Sequence, residues 1–389
     1  MNMRYSIIVP VYNRPDEVDE LLESLCSQTL KDFEVIIVED GSQKPCKDVC
    51  DKYASILDLH YYAKENSGPG QSRNSGVERA HGDYVIILDS DVVVPDKYLE
   101  NVNSSVECRT ESVEFATAQP SSAESRAESR AVANSTLYTL HSKSLHSKSL
   151  HSKSLHSKVA AFGGPDAAHP SFTPVQKAIS YSMTSFFTTG GIRGGKKKLD
   201  KFFPRSFNMG IRRDVYLELG GFSKMRFGED VDFSYRIVEA GYQPQLFPEA
   251  WVWHKRRTDF RKFFRQVYNS GIARINLEKR HPGTLKLVHL LPTIFTLGVL
   301  GMLLLSVLSL LSPLTSHLSP LFLLPLLLYC LLLLTDSTIQ NKSLWVGLLS
   351  IPAAFTQLMG YGFGFIESWW KRCILKQDEF TAFEKNFYK

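Results

Sequence analysis

The stretch "DYVIILDSDVVVPDKYL" (83–99) decides how the chain is read. Tyr84 to Leu88 are five consecutive strand formers, and the run stops abruptly at Asp89-Ser90-Asp91 before a second apolar run begins. Residues i and i+2 of a strand share a face, so both carboxylates can aim at one point. Two buried acids on one point are costly unless something pairs with them. Two readings follow from these residues alone. The acids form a solvated turn with a helix N-cap, or they hold a cation. Hard oxygen ligands in small number suit Mg²⁺ or Mn²⁺, partly hydrated and completed by substrate phosphates.

Working outward, similar apolar runs recur at 4–11 ("RYSIIVPV"), 33–40 ("FEVIIVED") and 59–63 ("LHYYA"). Helical patterns lie between them, with Val18, Leu21, Leu22 and Leu25 at helical spacing and "PGQSRNSGVERAHG" entered through Gly68-Pro69-Gly70. Alternating helices and strongly apolar strands predict an α/β domain with a mostly parallel sheet. Ligands of such sheets sit beyond the carboxyl ends of the strands. Asn13-Arg14, Glu39-Asp40-Gly41-Ser42 and Asp89-Ser90-Asp91 all fall at such ends. Asp40 can bond a ribose hydroxyl or a base N–H, although Asp-Gly is also a favoured turn pair. "NSGPGQSRNSG" lacks the third glycine spacing of a dinucleotide fingerprint and the Gly-Lys-Ser/Thr of a P-loop. A helix start with Arg73 nearby still suits a phosphate.

The 389 residues carry a formal net charge of +5, but charge is unevenly spread. No Asp, Glu, Lys or Arg occurs from Leu287 to Thr335, nor from Ser343 to Ile366. A membrane span needs about 20 apolar residues. Two spans are expected, at 287–311 and 318–335. The third segment, with Pro352 and three glycines between 360 and 364, is ambiguous. Three full spans would place the tail outside, whereas Lys371, Arg372 and Lys376 favour the cytosolic side. The early run "MNMRYSIIVPVYN" is too short for a signal peptide, so the first ~285 residues are expected in the cytosol. The segment 260–282 is basic, aromatic and amphipathic, suited to an anionic headgroup surface. "LHSKS" repeats with a period of five from Leu140, a spacing that lines no face of a helix or strand. That stretch reads as a disordered insertion. "GGIRGGKKKLDK" (190–201) is a solvated loop or an anion contact. The six cysteines show no C-x-x-C pair and read as reduced bystanders.

Taken together, "VPVYNRP" (9–15), "VEDGS" (38–42), "NSGPGQSRNSGVERAHGDYVIILDSD" (66–91) and "FGEDVDFSYR" (227–236) resemble the family 2 glycosyltransferases. The resemblance implies the GT-A fold, a Rossmann-like nucleotide-binding α/β domain. It implies that Pro10, Tyr12, Asn13 and Asp40 cradle the base and ribose. Asp91 would bind a divalent metal under the diphosphate, with Asp89 beside it on metal or ribose. His254 matches a position where some relatives place a metal or phosphate ligand. Asp230 would be the general base of an inverting transfer, with Glu229 orienting it or bonding the acceptor. Gln266 has no Arg-Trp three residues on, which disfavours a processive polysaccharide synthase. The expected organisation is a nucleotide-sugar-binding half (1–103), the insertion (104–158), and an acceptor-binding half with an interface helix (159–285). A transmembrane region (286–370) and a basic tail (371–389) follow. The expected partners are a nucleotide-sugar donor, a glycan or lipid-linked acceptor and the cytoplasmic (inner) membrane, with the catalytic domain facing the cytosol and no nucleic acid involved. The expected process is cell-surface polysaccharide or glycoconjugate assembly. The alternatives are a transferase acting directly on polyprenyl phosphate and a catalytically inactive GT-A membrane scaffold.

Overall fold

The computed structural model describes residues 4–118, 159–189, 202–311, 314 and 316–383. The core is a seven-stranded sheet. In its parallel half β1 (Tyr5–Val11) is flanked by β2 (Phe33–Asp40) and β4 (Tyr84–Leu88), with β3 (Leu59–Lys64) parallel beyond β2. Ile8 pairs with Ile36 on one side and Ile87 on the other. Beyond β4 the sheet turns mixed. Strand β8 (Asn208–Arg212) and then β6 (Ala161–Gly163) run antiparallel to their neighbours, and β9 (Gln245–Leu246) closes the edge parallel to β6. A second sheet of three short strands, β5 (Val92–Val93), β10 (Val252–His254) and β7 (Asp166–Ala167), stands beyond the end of β4.

Both faces of the large sheet are covered, which explains the unbroken apolar strands. Ile7, Val9, Val35, Ile37 and Ile86 pack on one side with Leu21, Leu22 and Leu25 of α1 (Pro15–Cys26). Ile8, Ile36, Val38, Val85 and Ile87 pack on the other with Val77 of α3 (Pro69–Glu78) and Phe233 of α8, the latter helix spanning Glu229–Glu239. Helix α3 lies close on the sheet because Gly76 has no side chain. A Cβ there would stand 2.5 Å from Cγ2 of Ile8. The remaining helices of this region are α2 (Lys47–Tyr53), α4 (Tyr98–Ala118), α5 (Pro174–Thr184), α6 (Phe186–Thr189) and α7 (Arg213–Glu218). Helix α4 continues to Ala118, so the expected break at residue 104 falls inside a helix. The "LHSKS" repeats and the loop 190–201 lie outside the described residues.

Helix α9 (Phe260–Arg280) leads from the α/β domain to α10 (Leu287–Leu310), α11 (Ser319–Asn341) and α12 (Leu344–Trp369). Among the described residues, three segments are long and apolar enough to cross a membrane: Leu287–Leu310, Ser316–Asn341 and Leu344–Ile374. The third differs from the other two in what it touches. It runs in the same direction as α9 and along its length. Ala353 shares a cluster with Phe260 and Ala178, Gly360 meets Val267, Gly364 meets the Tyr268 carbonyl, and Ser368 donates to the Ile272 carbonyl. The glycines that made this segment ambiguous are contact points. A Cβ on Gly364 would lie 2.0 Å from the Tyr268 oxygen, and one on Gly271 would lie 2.2 Å from the Tyr361 oxygen. The chain then folds back over α9. Ala382 and Asn269 exchange two hydrogen bonds, Asn276 donates to the Phe380 carbonyl, and Arg280 pairs with Glu379.

Candidate active site

The sequence places acids at strand ends, and the sheet brings those ends together. Asp40 ends β2 and is buried. Its carboxylate accepts from the backbone N–H groups of Ser67 and Gly68, both at 2.9 Å, and from the Lys64 ammonium. The turn entering α3 is therefore tied to the end of β2. Asn13 sits at φ 55°, in the left-handed region that Asn tolerates. Its side-chain oxygen accepts from Gln43 and Lys44 N–H (2.7 and 3.0 Å), and its own N–H donates to Ser42. Asn13 thus braces the turn after β2, while Pro10 and Tyr12 line the open cleft.

Asp89 and Asp91 follow β4, and β10 delivers His254 to them. His254 pairs in register with Val92, next to Asp91. Its Nε2 lies 3.3 Å from Asp91 Oδ1, and ligand atoms of Asp89, Asp91 and His254 all fall within 4.8 Å of one another. Phe207 stacks on the imidazole at 5.0 Å. Nδ1 of His254 is buried without a hydrogen-bond partner. Nδ1 lies 3.9 Å from Asp166 Oδ2, so it is through Nε2 that the imidazole converges with the two carboxylates, a set that fits a divalent cation such as Mg²⁺ or Mn²⁺. Arg14 Nη1 reaches Asp91 Oδ2 at 2.7 Å. Burial acts to raise the Asp91 pKa, but His254 and then Arg14 outweigh it and hold the carboxyl well below its usual range.

The third pair is Glu229 and Asp230, the first residues of α8. Gly228, at φ 84°, turns the chain into the helix and packs against Ala273 and Leu277 of α9. Asp230 Oδ2 accepts from Arg205 Nε at 2.6 Å. Burial raises the Asp230 pKa, and Arg205 more than offsets it, so the net shift is downward. Glu229 moves the other way. Burial, with the negative charge of Asp230 adding to it and Arg73 opposing, lifts its pKa to about 7. Arg73 joins the two acid pairs, donating at 2.8 Å to Asp89 and 2.9 Å to Glu229. Its side chain is 4 % exposed. Burial opposes its charge, and the two carboxylates more than restore it, raising its pKa.

One cavity of about 520 Å³ contains Asp40, Asp91 and Asp230 among its walls. It continues past Gln266 and Arg274 of α9 to Pro292 of α10 and Tyr361 of α12. Arg14 belongs to the polar cluster expected after the first strand, whereas Arg205 and Arg274 are site residues that the sequence does not single out. Of the basic run 255–257, Lys255 pairs with Glu20 and Arg256 with Asp166, leaving Arg257 on the cavity wall, where it donates to Gln266.

The fold and the acids at its strand ends define a GT-A-type α/β domain followed by candidate membrane helices. Two family models match, "Glycosyl transferase family 2" over residues 6–150 and "Glycosyl transferase family group 2" over residues 201–335. Residues 6–150 and 201–335 thus carry family 2 glycosyltransferase domains. It is 39% identical over 88 residues to an uncharacterized glycosyltransferase of Rickettsia felis, covering 23% of this chain and 15% of that one. It is 37% identical over 98 residues to the putative glycosyltransferase EpsH of Bacillus subtilis, covering 25% of this chain and 28% of that one. It is 31% identical over 104 residues to glycosyltransferase GlyA of Streptococcus pneumoniae, covering 26% of this chain and 15% of that one. These matches span less than a third of each relative's length. The solved structure of the mannosyltransferase PcManGT from Pyrobaculum calidifontis, in complex with GDP-Man and Mn²⁺, shares the fold. Its TM-score is 0.51 at 15% identity, over 96% of this chain and 88% of that one.

Proposed function

We propose that this chain transfers a sugar from a nucleotide-sugar donor to a hydroxyl of a lipid-linked glycan, with inversion at the anomeric carbon and dependence on a divalent metal. The observation that carries this reading is the single cavity that joins the Asp40 and Asp91 ends of the sheet to Asp230 and then to α10 and α12. Pro10, Tyr12 and Asp40 hold the base and ribose. Asp89, Asp91 and His254 hold the metal, which when bound supplies a Lewis acid for the leaving diphosphate. The nucleotide sugar and Mn²⁺ in the PcManGT complex are in keeping with that assignment.

Asp230 takes the proton of the attacking hydroxyl. Arg205 keeps it ionised, and its contact with Oδ2 fixes the carboxylate's direction. Arg73, locked between Asp89 and Glu229, holds the donor and acceptor sides in register. The α/β domain faces the cytosol, α10 and α11 form a spanning hairpin, and the pathway is cell-surface polysaccharide or glycoconjugate assembly. A thermal-shift panel of UDP-, GDP- and dTDP-sugars with and without Mn²⁺ tests the donor assignment. A metal-dependent shift for one of them is expected, and none for any would sink it. Direct transfer to a polyprenyl phosphate is a second reading, favoured by Arg257 on the cavity wall. Asp230→Asn separates the two, because an acceptor that is already an anion needs no base and would turn over nearly normally.

A further inference from the structure

The wall of the cavity that faces the membrane helices holds an arginine whose charge no acid balances among the described residues. Arg274 lies on α9 and is 8 % exposed. Its Nη2 donates to the Tyr235 hydroxyl at 3.0 Å, and its guanidinium sits 5.9 Å from the Tyr235 ring centre. Its Nε is buried with no hydrogen-bond partner. Among the described residues no carboxylate pairs with it. A buried cation left without a counter-charge is expensive, and arginine is the side chain best shaped to grip a phosphate.

His289 sharpens the point. The Lys286 backbone N–H donates to His289 Nδ1 at 3.0 Å. A neutral imidazole with Nδ1 accepting carries its proton on Nε2. That Nε2 faces Arg274 Nη1 at 3.3 Å. Two N–H donors therefore meet across this gap, an arrangement that an anion bridging them would satisfy. Both residues line the cavity, and so do Leu291, Pro292, Leu358 and Tyr361 from the apolar helices beside them. Leu287 and Leu291, which start α10, are exposed at 82% and 57%. The donors thus lie where a polar cavity gives way to an apolar helical surface.

We infer that Arg274 and His289 form a subsite for the phosphate of a membrane-embedded acceptor lipid, whose chain leaves the cavity along α10 and α12. Resting on the glycosyl-transfer reading above, this names the acceptor class. Tyr235, which Arg274 grips, follows Asp230 by five residues, about 7.5 Å along the helix axis at the rise of an α-helix. That spacing sets the phosphate apart from the base and leaves room for a sugar between them, so the lipid would carry its reacting hydroxyl on a glycan.

The test uses the full chain in phosphatidylcholine nanodiscs doped with a long-chain polyprenyl phosphate, with lipid retained after washing read by mass spectrometry. Wild-type protein is expected to retain the polyprenyl phosphate in preference to phosphatidylcholine. Arg274→Gln should lower that retention by about tenfold, the loss of one charge-assisted contact, and Arg274→Lys should restore part of it. Inorganic phosphate should not displace the lipid. Equal retention by Arg274→Gln would overturn the assignment, and so would displacement by inorganic phosphate, which would mark a site for free phosphate. The nucleotide-sugar thermal shift of Arg274→Gln, expected to match wild type, confirms that the variant is folded. Donor binding is read without lipid and lipid retention without donor, so each reading can fail alone.

Discussion

Asp91, Asp230 and Glu229 are three carboxylates in one cavity with three different electrostatic settings, and each setting makes a separate prediction. Asp91→Asn removes one of the two carboxylates of the candidate metal site, and the Mn²⁺-dependent part of the nucleotide-sugar thermal shift is expected to vanish. Asp230→Asn should lower kcat by about 10²–10⁴-fold, the usual worth of a positioned base, with the donor thermal shift unchanged. Glu229 supplies the pH dependence. Its folded pKa, about 7, stands above the ordinary 4.5. The folded state therefore binds the extra proton, and this contribution to stability is full below about pH 4.5 and lost as pH rises through 7. The melting temperature of wild type is expected to fall across that window more than that of Glu229→Gln, and parallel curves would refute it. The two short motifs carrying these acids were legible in the sequence. Arg14 was legible only as part of the polar cluster after the first strand, and Arg205 and Arg274 not at all, since an isolated arginine has no pattern. Arg14 meets Asp91 across 77 residues of chain, and only the sheet order makes them neighbours.

At the scale of elements, the parallel strands and their covering helices follow from apolar periodicity, which is a local signal. The mixed edge of the sheet does not. Strands β5, β7, β9 and β10 are two or three residues long, too short for any periodicity, and they are defined by their partners. His254 reaches Asp91 through one of them. The third apolar helix shows the limit from the other side. Length and composition admit it as a span, but it packs along α9 as well as against α10 and α11, where Gly362 meets Thr296 and Gly347 meets Thr338, and residues 379–382 bond to α9 too. We propose that α12 stays on the catalytic side as an interfacial partner of α9, which removes the conflict with the basic residues after it. In single-cysteine chains, a cysteine at 314, between α10 and α11, should react with an impermeant maleimide added outside intact cells. The native Cys373 should react only after lysis, and external labelling of it would refute the arrangement. Gly364→Leu is expected to cost about 1–3 kcal/mol by overpacking against the Tyr268 carbonyl, read as a lower melting temperature.

For the molecule as a whole, the contribution of charge is local. The net charge of +5 is small, yet cationic side chains gather on one continuous cavity. Its donor end is built by the first ~100 residues and its far wall by α9, α10 and α12, so its two ends come from distant parts of the chain. Composition announced both regions, but only packing shows that they share one space. This division has a consequence for the order of synthesis. The cavity residues Asp40, Asp89 and Asp91 leave the ribosome well before Gln357, Leu358 and Tyr361 and the tail segment that clasps Asn269. A nascent chain would hold donor well before it could accept anything to glycosylate. A chain ending at Ser343 is accordingly expected to bind nucleotide sugar and transfer nothing, and transfer by that truncated chain would refute this timing.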